Sequence, residues 1–191
     1  KYKYSYGRQA NKTLKDIELP DEIPEWFYKV DLENYRDSIK TKILPKNLEL
    51  DTSNWKEFEI NRLFDVTGTR TTKIDDLIET GIGSKPYVTT QATNNGVRGF
   101  YNSSTELGNV ITIDSAVLGF TSYQADNFSA SDHVEKLIPK FALNKYIGLF
   151  ISTVVNRERY RYSYGRKFNQ VKIKNTVIRL PATVDGSPDW I

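Results

Sequence analysis

Hydrophobic positions recur with a helical period in one stretch above all. Leu143, Tyr146, Ile147, Phe150, Ile151, Val154 and Val155 fall at i, i+3, i+4, i+7, i+8, i+11 and i+12, a spacing that lines one face of an α-helix. Asn144 stands where a side-chain oxygen can cap the first free amides. The helix should run on into Arg157-Glu-Arg-Tyr160 and stop before Gly165, a residue suited to the left-handed conformation that ends many helices. A looser stripe of Trp26, Phe27, Val30, Tyr35 and Ile39, with Pro24 in the first turn, predicts a short helix over 24–40. Short runs rich in β-branched and aromatic residues predict strands at Glu57–Val66, Lys85–Thr90, Val97–Tyr101, Val110–Asp114 and Val134–Pro139. A closing strand, Val171–Leu180, ends at Pro181. Asn95-Gly96 is a hairpin signal between two of these runs. Strands with one main amphipathic helix give a β-rich α+β domain over 55–181. It follows a linker helix and connection (24–54) and precedes the start of a second linker helix (182–191).

Composition narrows the chemistry. The 191 residues, 38% of them hydrophobic, suffice for one sizeable core. Aromatic residues make up 13%, which argues against disorder. The chain has no cysteine and one histidine, His133. Disulfides, thiolate metal sites, thiol nucleophiles and two-His metal sites are therefore outside its own means. No apolar run approaches the roughly 18 residues of a transmembrane helix, and the first residues lack the core of a signal peptide. The opening without Met is expected to mark a fragment or a processed product. Ser131-Asp132-His133 is consecutive, whereas a nucleophilic triad needs its members to converge. Thr80-Gly-Ile-Gly-Ser84 is too short for a phosphate loop. No Asn-Pro-Pro-Tyr motif of amino-methyltransferases occurs, so no catalysis is expected in this chain.

Charge is distributed unevenly. Residues 1–15 carry +5 and residues 156–174 carry +6, which leaves −8 for the rest of a chain whose net charge is +3. Two basic patches on an acidic background suit an extended anionic partner, although two solvated faces would look the same. The patches are also the same sequence. Tyr2-Lys-Tyr-Ser-Tyr-Gly-Arg-Gln-Ala-Asn11 recurs as Tyr160-Arg-Tyr-Ser-Tyr-Gly-Arg-Lys-Phe-Asn169, identical at seven of ten positions. Ile17-Glu-Leu-Pro20 then answers Ile178-Arg-Leu-Pro181, and Pro24-Glu-Trp26 answers Pro188-Asp-Trp190. Three blocks in order imply an internal duplication with a period near 160 residues, too long for a solenoid. Residues 1–23 read as the tail of a first repeat and 55–181 as most of a second, within a duplicated two-domain chain.

Three patterns carry a resemblance: Trp55-Lys-Glu-Phe-Glu-Ile-Asn-Arg-Leu-Phe-Asp-Val66, Thr93-Asn-Asn-Gly-Val-Arg-Gly-Phe-Tyr101, and Tyr164-Gly-Arg-Lys-Phe-Asn169 followed by Ile178-Arg-Leu-Pro181. In their order the chain resembles the DNA specificity subunits of type I restriction–modification systems and the specificity portions of related type II enzymes. The resemblance spans residues 55–190 and the earlier tail at 2–26. It implies two target-recognition domains on one chain, each reading half of a bipartite site in double-stranded DNA. It further implies helices that hold methyltransferase subunits, in type I systems a restriction nuclease as well, and a cytoplasmic setting. S-adenosylmethionine would sit in the methyltransferase partner, with no cofactor in this chain. The helix at 24–40 is short beside the paired helices of type I subunits, which favours a compact type II-like arrangement or a partner that supplies the missing helix. Two rival readings stay open: the specificity portion of a single chain with its own methyltransferase and nuclease, and an aromatic-rich ligand-binding β module.

Base readout needs paired donors and acceptors, Arg for guanine and Asn or Gln for adenine. Four segments offer them. In Gly68–Lys73, Arg70 is the guanine candidate, with Thr69, Thr71, Thr72 and Lys73 for phosphates; a solvated turn before a helix is the alternative. In Thr89–Asn95, Gln91 and Asn94 suit adenine, with Arg98 just beyond, while Asn95 is more apt to serve the turn. In Phe120–Gln124, Tyr123 and Gln124 suit an exposed contact. In the repeated motif, Arg161, Arg166 and Lys167 suit phosphate, since a feature common to both copies cannot distinguish two half-sites. Tyr162 and Tyr164 lean towards structure. Trp26 and Trp190 begin equivalent helices and anchor them either on the domain or on a methyltransferase partner.

Overall fold

The structure, a computed structural model, describes residues 50–190 except Val117 and Tyr164, together with Glu22 and Glu25. The first-repeat tail, the helix expected at 24–40 apart from Glu25, Trp26 and Tyr164 lie outside the described residues. The chain divides into Lys1–Leu50 and Asp51–Ile191, and the elements below belong to the second unit.

The unit closes on itself. Strand β1 (Trp55–Glu59) pairs antiparallel with β9 (Val177–Pro181), so both ends of the domain share one ladder. The single strand expected at 57–66 is two strands separated by a helical turn, α1 (Ile60–Leu63), before β2 (Phe64–Gly68). Ile60 and Leu63 are both buried at a spacing of three, which a turn of helix satisfies and a strand cannot. The Ile60 amide donates to the Thr176 carbonyl at 3.0 Å, which carries the β1–β9 register one residue further before the chain turns.

Two further sheets follow. One is ordered β2–β8–β5–β6, with β5 (Val110–Asp114), β6 (Thr121–Gln124) and β8 (Val134–Pro139), all antiparallel. The other is ordered β4–β3–β7, with β3 (Ile82–Val88), β4 (Val97–Tyr101) and β7 (Ser129–Ala130). There β3 pairs antiparallel with β4 and parallel with β7. A short helix, α2 (Ile74–Glu79), starts with Asp75 and Asp76 in its first turn, where carboxylates oppose the positive helix end. The β3–β4 hairpin closes through Asn94, Asn95 and Gly96, all at positive φ (50°, 56° and 77°). That is the conformation Asn and Gly adopt most readily.

Alternation along the four-stranded sheet makes two cores. Ile111, Ile113 and Leu137 join Ile60, Phe64, Ile151, Val155, Phe168, Ile173, Ile178 and Leu180 in the larger cluster. Val110 and Val134, which alternate with them, join Val88, Val97, Phe128 and Ala130 in a smaller one. Helix α3 (Lys145–Asn156) covers the first side. Asn144 caps it, its Oδ1 accepting the Tyr146 and Ile147 amides at 2.9 and 3.0 Å. The buried stripe is centred on Gly148, Ile151, Ser152 and Val155, and Tyr146, expected on the core face, is exposed. A Cβ on Gly148 would run into the Tyr123 ring; the glycine lets the helix settle against β6.

The end of the domain departs from a single strand as well. Asn169 caps α4 (Gln170–Lys174), its Oδ1 accepting the Lys172 amide at 3.1 Å, and β9 follows. Apolar Val171 and Ile173 alternate as in a strand, but only Ile173 is buried. Residues 182–190, where a helix was expected to start, carry no helix; a turn closes with an Ala182–Pro188 bridge.

Candidate nucleic-acid interface

The loop after β2 is fastened almost entirely through its backbone. The Thr69 amide and hydroxyl both donate to the Val134 carbonyl, at 3.1 and 2.8 Å. The Arg70 amide donates to Glu106 Oε1 at 2.5 Å. Thr71 bridges to Ala130, and the Thr72 amide donates to the Ala130 carbonyl at 2.8 Å. The Tyr87 hydroxyl donates to the Thr72 carbonyl at 3.0 Å, and the Thr72 and Thr105 hydroxyls share a bond of 2.9 Å. Thr69 and Thr72 therefore spend their hydroxyls inside the protein rather than presenting them as expected. Arg70 and Lys73 are exposed, with no ion-pair partner among the described residues. An exposed forked cation on a pinned backbone is what a base contact requires.

The second loop lies close by, because β7 pairs with β3 on one side and holds Thr71 and Thr72 on the other. Gln91 Nε2 donates to the Thr93 and Val97 carbonyls at 3.2 and 2.6 Å, and Asn94 Nδ2 donates to Val97 at 2.9 Å. Their amide donors thus brace the turn that they were expected to leave for adenine. Arg98 is exposed beyond them. Burial pushes the Tyr87 hydroxyl above its ordinary pKa of 10.0, and nearby Arg98 only partly offsets this.

Tyr123 and Gln124 are not the exposed contacts expected. They lie in β6 and are 8% and 3% exposed. The Gln124 amide donates to the Asn95 carbonyl and to the Thr112 and Ser122 hydroxyls at 3.0–3.1 Å. Asn95 Nδ2 donates back to the Tyr123 carbonyl at 2.9 Å. The Tyr123 hydroxyl donates to Asn109 Oδ1 at 2.9 Å. A run of Thr, Ser, Tyr and Gln looks like a polar loop, yet here each of these side chains finds a partner within the domain.

The repeated motif combines a packed part and an exposed part. Tyr162 stacks on fully buried Phe168, ring centroids 4.1 Å apart, as its structural reading anticipated. Gly165 is not left-handed: the helical turns end at Arg161, and a turn from Ser163 to Arg166 closes with the Arg166 amide on the Ser163 carbonyl at 2.9 Å. Around an open cleft of about 290 Å³ stand Arg161, Arg166 and Lys172 with Tyr162, Asn175 and Thr176. Arg161 Nε lies 2.9 Å from Glu158 Oε2 and 3.0 Å from the Tyr160 hydroxyl, which together raise its pKa further, the tyrosine contributing most. Arg166 and Lys167 are exposed. The patch meets the first loop where Gln170 Nε2 donates to Glu135 Oε2 at 2.7 Å beside Gly68.

Trp190 has a partner within the domain: it stacks on Phe141 with ring centroids 4.2 Å apart and packs against the larger core. Ser131 Oγ donates to the Asp132 carbonyl rather than to His133, whose Nε2 lies 3.6 Å from Asp132 Oδ2. Among the described residues no helix is long and apolar enough to cross a membrane. Sequence reasoning missed Glu106 and Lys136, an ion pair beneath the first loop. No local pattern marks them, since they are thirty residues apart and neither belongs to a motif.

Comparison with known proteins bears on this arrangement. The chain is 29% identical to S.BcgI, the specificity subunit of a type II restriction enzyme from Heyndrickxia coagulans. That alignment covers 99% of this chain, which spans 58% of the relative's length. The fold is similar to that of the type I restriction–modification S subunit from M. genitalium, with a TM-score of 0.51 at 12% identity over 68% of this chain and 35% of the other. Residues 52–186, almost the whole of the unit built here, match the family pattern of the type I restriction modification DNA specificity domain, and the chain belongs to that family.

Proposed function

We propose that residues 55–181 form a target-recognition domain that reads one half of a bipartite site in double-stranded DNA. Arg70 is its principal base contact, and Lys73, Arg98 and the 89–95 turn flank it. The observation that carries this reading is the loop at 68–73, whose backbone is bound to Val134, Ala130, Tyr87 and Glu106 while its guanidinium stays exposed and unpaired among the described residues. Arg161, Arg166 and Lys167 contact phosphate, with Lys172 beside them. The duplicated tail at 2–26 belongs to a second such domain that reads the other half-site. The chain itself is not catalytic; it positions adenine methyltransferase subunits that bring S-adenosylmethionine, and a nuclease subunit joins them, in the cytoplasm. The relative's description as a specificity subunit favours this over a fused single chain. Family membership disfavours the ligand-binding module.

Sequencing of the sites methylated by the assembled enzyme tests the division of labour. Arg70→Ala should relax one base position of one half-site by about 1–3 kcal/mol. Arg166→Ala should weaken binding to all sequences and flatten the log–log salt slope by about 0.9 for each phosphate that is no longer neutralised. If Arg166→Ala alters a recognised base and Arg70→Ala alters none, the assignment is reversed.

A further inference from the structure

Resting on the reading of loop 68–73 as a base contact, we infer that the buried pair Glu106–Lys136 is a positioning device that presents Arg70 to DNA. The Glu106 side chain is 6% exposed and that of Lys136 20%. Burying such a pair seldom stabilises a fold more than apolar side chains of the same volume would, so stability alone does not explain it. Its geometry does. One carboxylate oxygen accepts the Arg70 amide at 2.5 Å, and the other takes the Lys136 ammonium. Lys136 sits in β8, in register with Thr67 of β2 and Thr112 of β5, at the middle of the four-stranded sheet. Glu106 is itself fixed by reciprocal backbone bonds to Phe128 at 2.8 and 3.1 Å, and Phe128 is fully buried.

A chain of rigid contacts therefore runs from the sheet through Lys136 and Glu106 to the backbone of the one loop residue that carries the exposed fork. Thr69 and Thr72 hold the loop on either side of Arg70, and Glu106 holds the residue between them. Both Glu106 carboxylate oxygens are engaged, one by the Arg70 amide and one by the Lys136 ammonium, so the pair acts through Arg70. A base contact displaced by about 1 Å loses most of its discrimination, which is why the support is built of charge-assisted bonds that keep their geometry.

The test uses the full-length chain and a randomised duplex DNA library, with sequence discrimination read from the selected sites and melting recorded for each variant. Glu106→Leu with Lys136→Met removes both charges together, so neither is stranded, and should lower discrimination at the Arg70 position roughly tenfold or more while non-specific affinity and its salt slope hold. Glu106→Gln with Lys136→Met keeps an acceptor for the Arg70 amide and should restore most of that loss. Added to Arg70→Ala, the Leu–Met pair should cost nothing further at that position. If the Leu–Met pair does not fold, Glu106→Asp, which shortens the reach to the Arg70 amide, should show the same loss. Undiminished discrimination in a folded variant, while Arg70→Ala loses it, overturns the positioning role alone. An Arg70→Ala protein that keeps every base preference overturns the loop reading and the positioning role with it.

Discussion

The loop at 68–73 and the segment at 160–181 lie side by side, yet they are held by different forces. The loop is held by polar groups: Val134 and Ala130 carbonyls, the Tyr87 hydroxyl and the Glu106 carboxylate, all acting on its backbone or threonine hydroxyls. The C-terminal segment is held by apolar burial, with Phe168, Ile173, Ile178 and Leu180 nearly or fully inaccessible and Tyr162 stacked on Phe168. Backbone-directed bonds leave the outward side chain free to vary without loss of the loop's shape. Packing ties the fold to the identity of the side chain. On the proposed reading, a region of the first kind suits a readout that would differ between half-sites. A region of the second kind suits a framework, in keeping with the recurrence of Tyr-Ser-Tyr-Gly-Arg and Ile-x-Leu-Pro in the same chain.

The contrast breaks first, and by the largest amount, at Phe168. Phe168→Ala should destabilise the domain by about 3–5 kcal/mol, measured by chemical denaturation; a loss below about 1 kcal/mol would mean that the framework is not carried by its aromatic core. Gln124 comes next. Gln124→Ala leaves the Asn95 carbonyl and two hydroxyls short of a buried donor, at a cost of about 1–3 kcal/mol. It should leave every recognised base in place or blur positions near the 89–95 turn together. Loss of one adenine with full stability would restore Gln124 as a reader. The smallest effect belongs to Gly165. Nothing lies within 4 Å of a Cβ built there, and its φ is not positive. Gly165→Ala should therefore shift stability by less than about 0.5 kcal/mol. At Gly119, with φ +74° and a Cβ aimed into Phe168, alanine should cost more than at Gly165 in the same denaturation series.

Where the sequence reading succeeded, a local rule and the tertiary outcome coincided. Asn144 caps α3, the turn at Asn94–Gly96 closes the β3–β4 hairpin, and Val97–Tyr101, Val110–Asp114 and Val134–Pro139 form strands at the expected bounds. Where it failed, a partner far along the chain overrode the local pattern. Ile60 and Leu63 both pack into the core, which turns the strand expected at 57–66 into a helical turn between two strands. Thr121–Gln124 looks like a polar loop but becomes a buried strand, because Thr112, Asn95 and Asn109 satisfy its polar side chains and Asn156 its first amide. Of the proposed contacts, Arg70, Lys73, Arg98 and Arg166 emerge exposed, Gln91 and Asn94 are engaged in their own turn, and Tyr123 and Gln124 are buried.

The amino-acid sequence by itself determined the β-rich α+β class, the main helix and its cap, the duplicated basic motif and the family to which those motifs belong. Periodicity, capping and repetition are properties of neighbours along the chain, and no folding is needed to see them. Which polar residues face outward was decided only by the tertiary structure. A glutamine or threonine has the same local signature whether its hydrogen bonds go to water, to DNA or to a carbonyl thirty residues away. Burying one costs little only when partners already wait in place, and those partners are assembled by the fold.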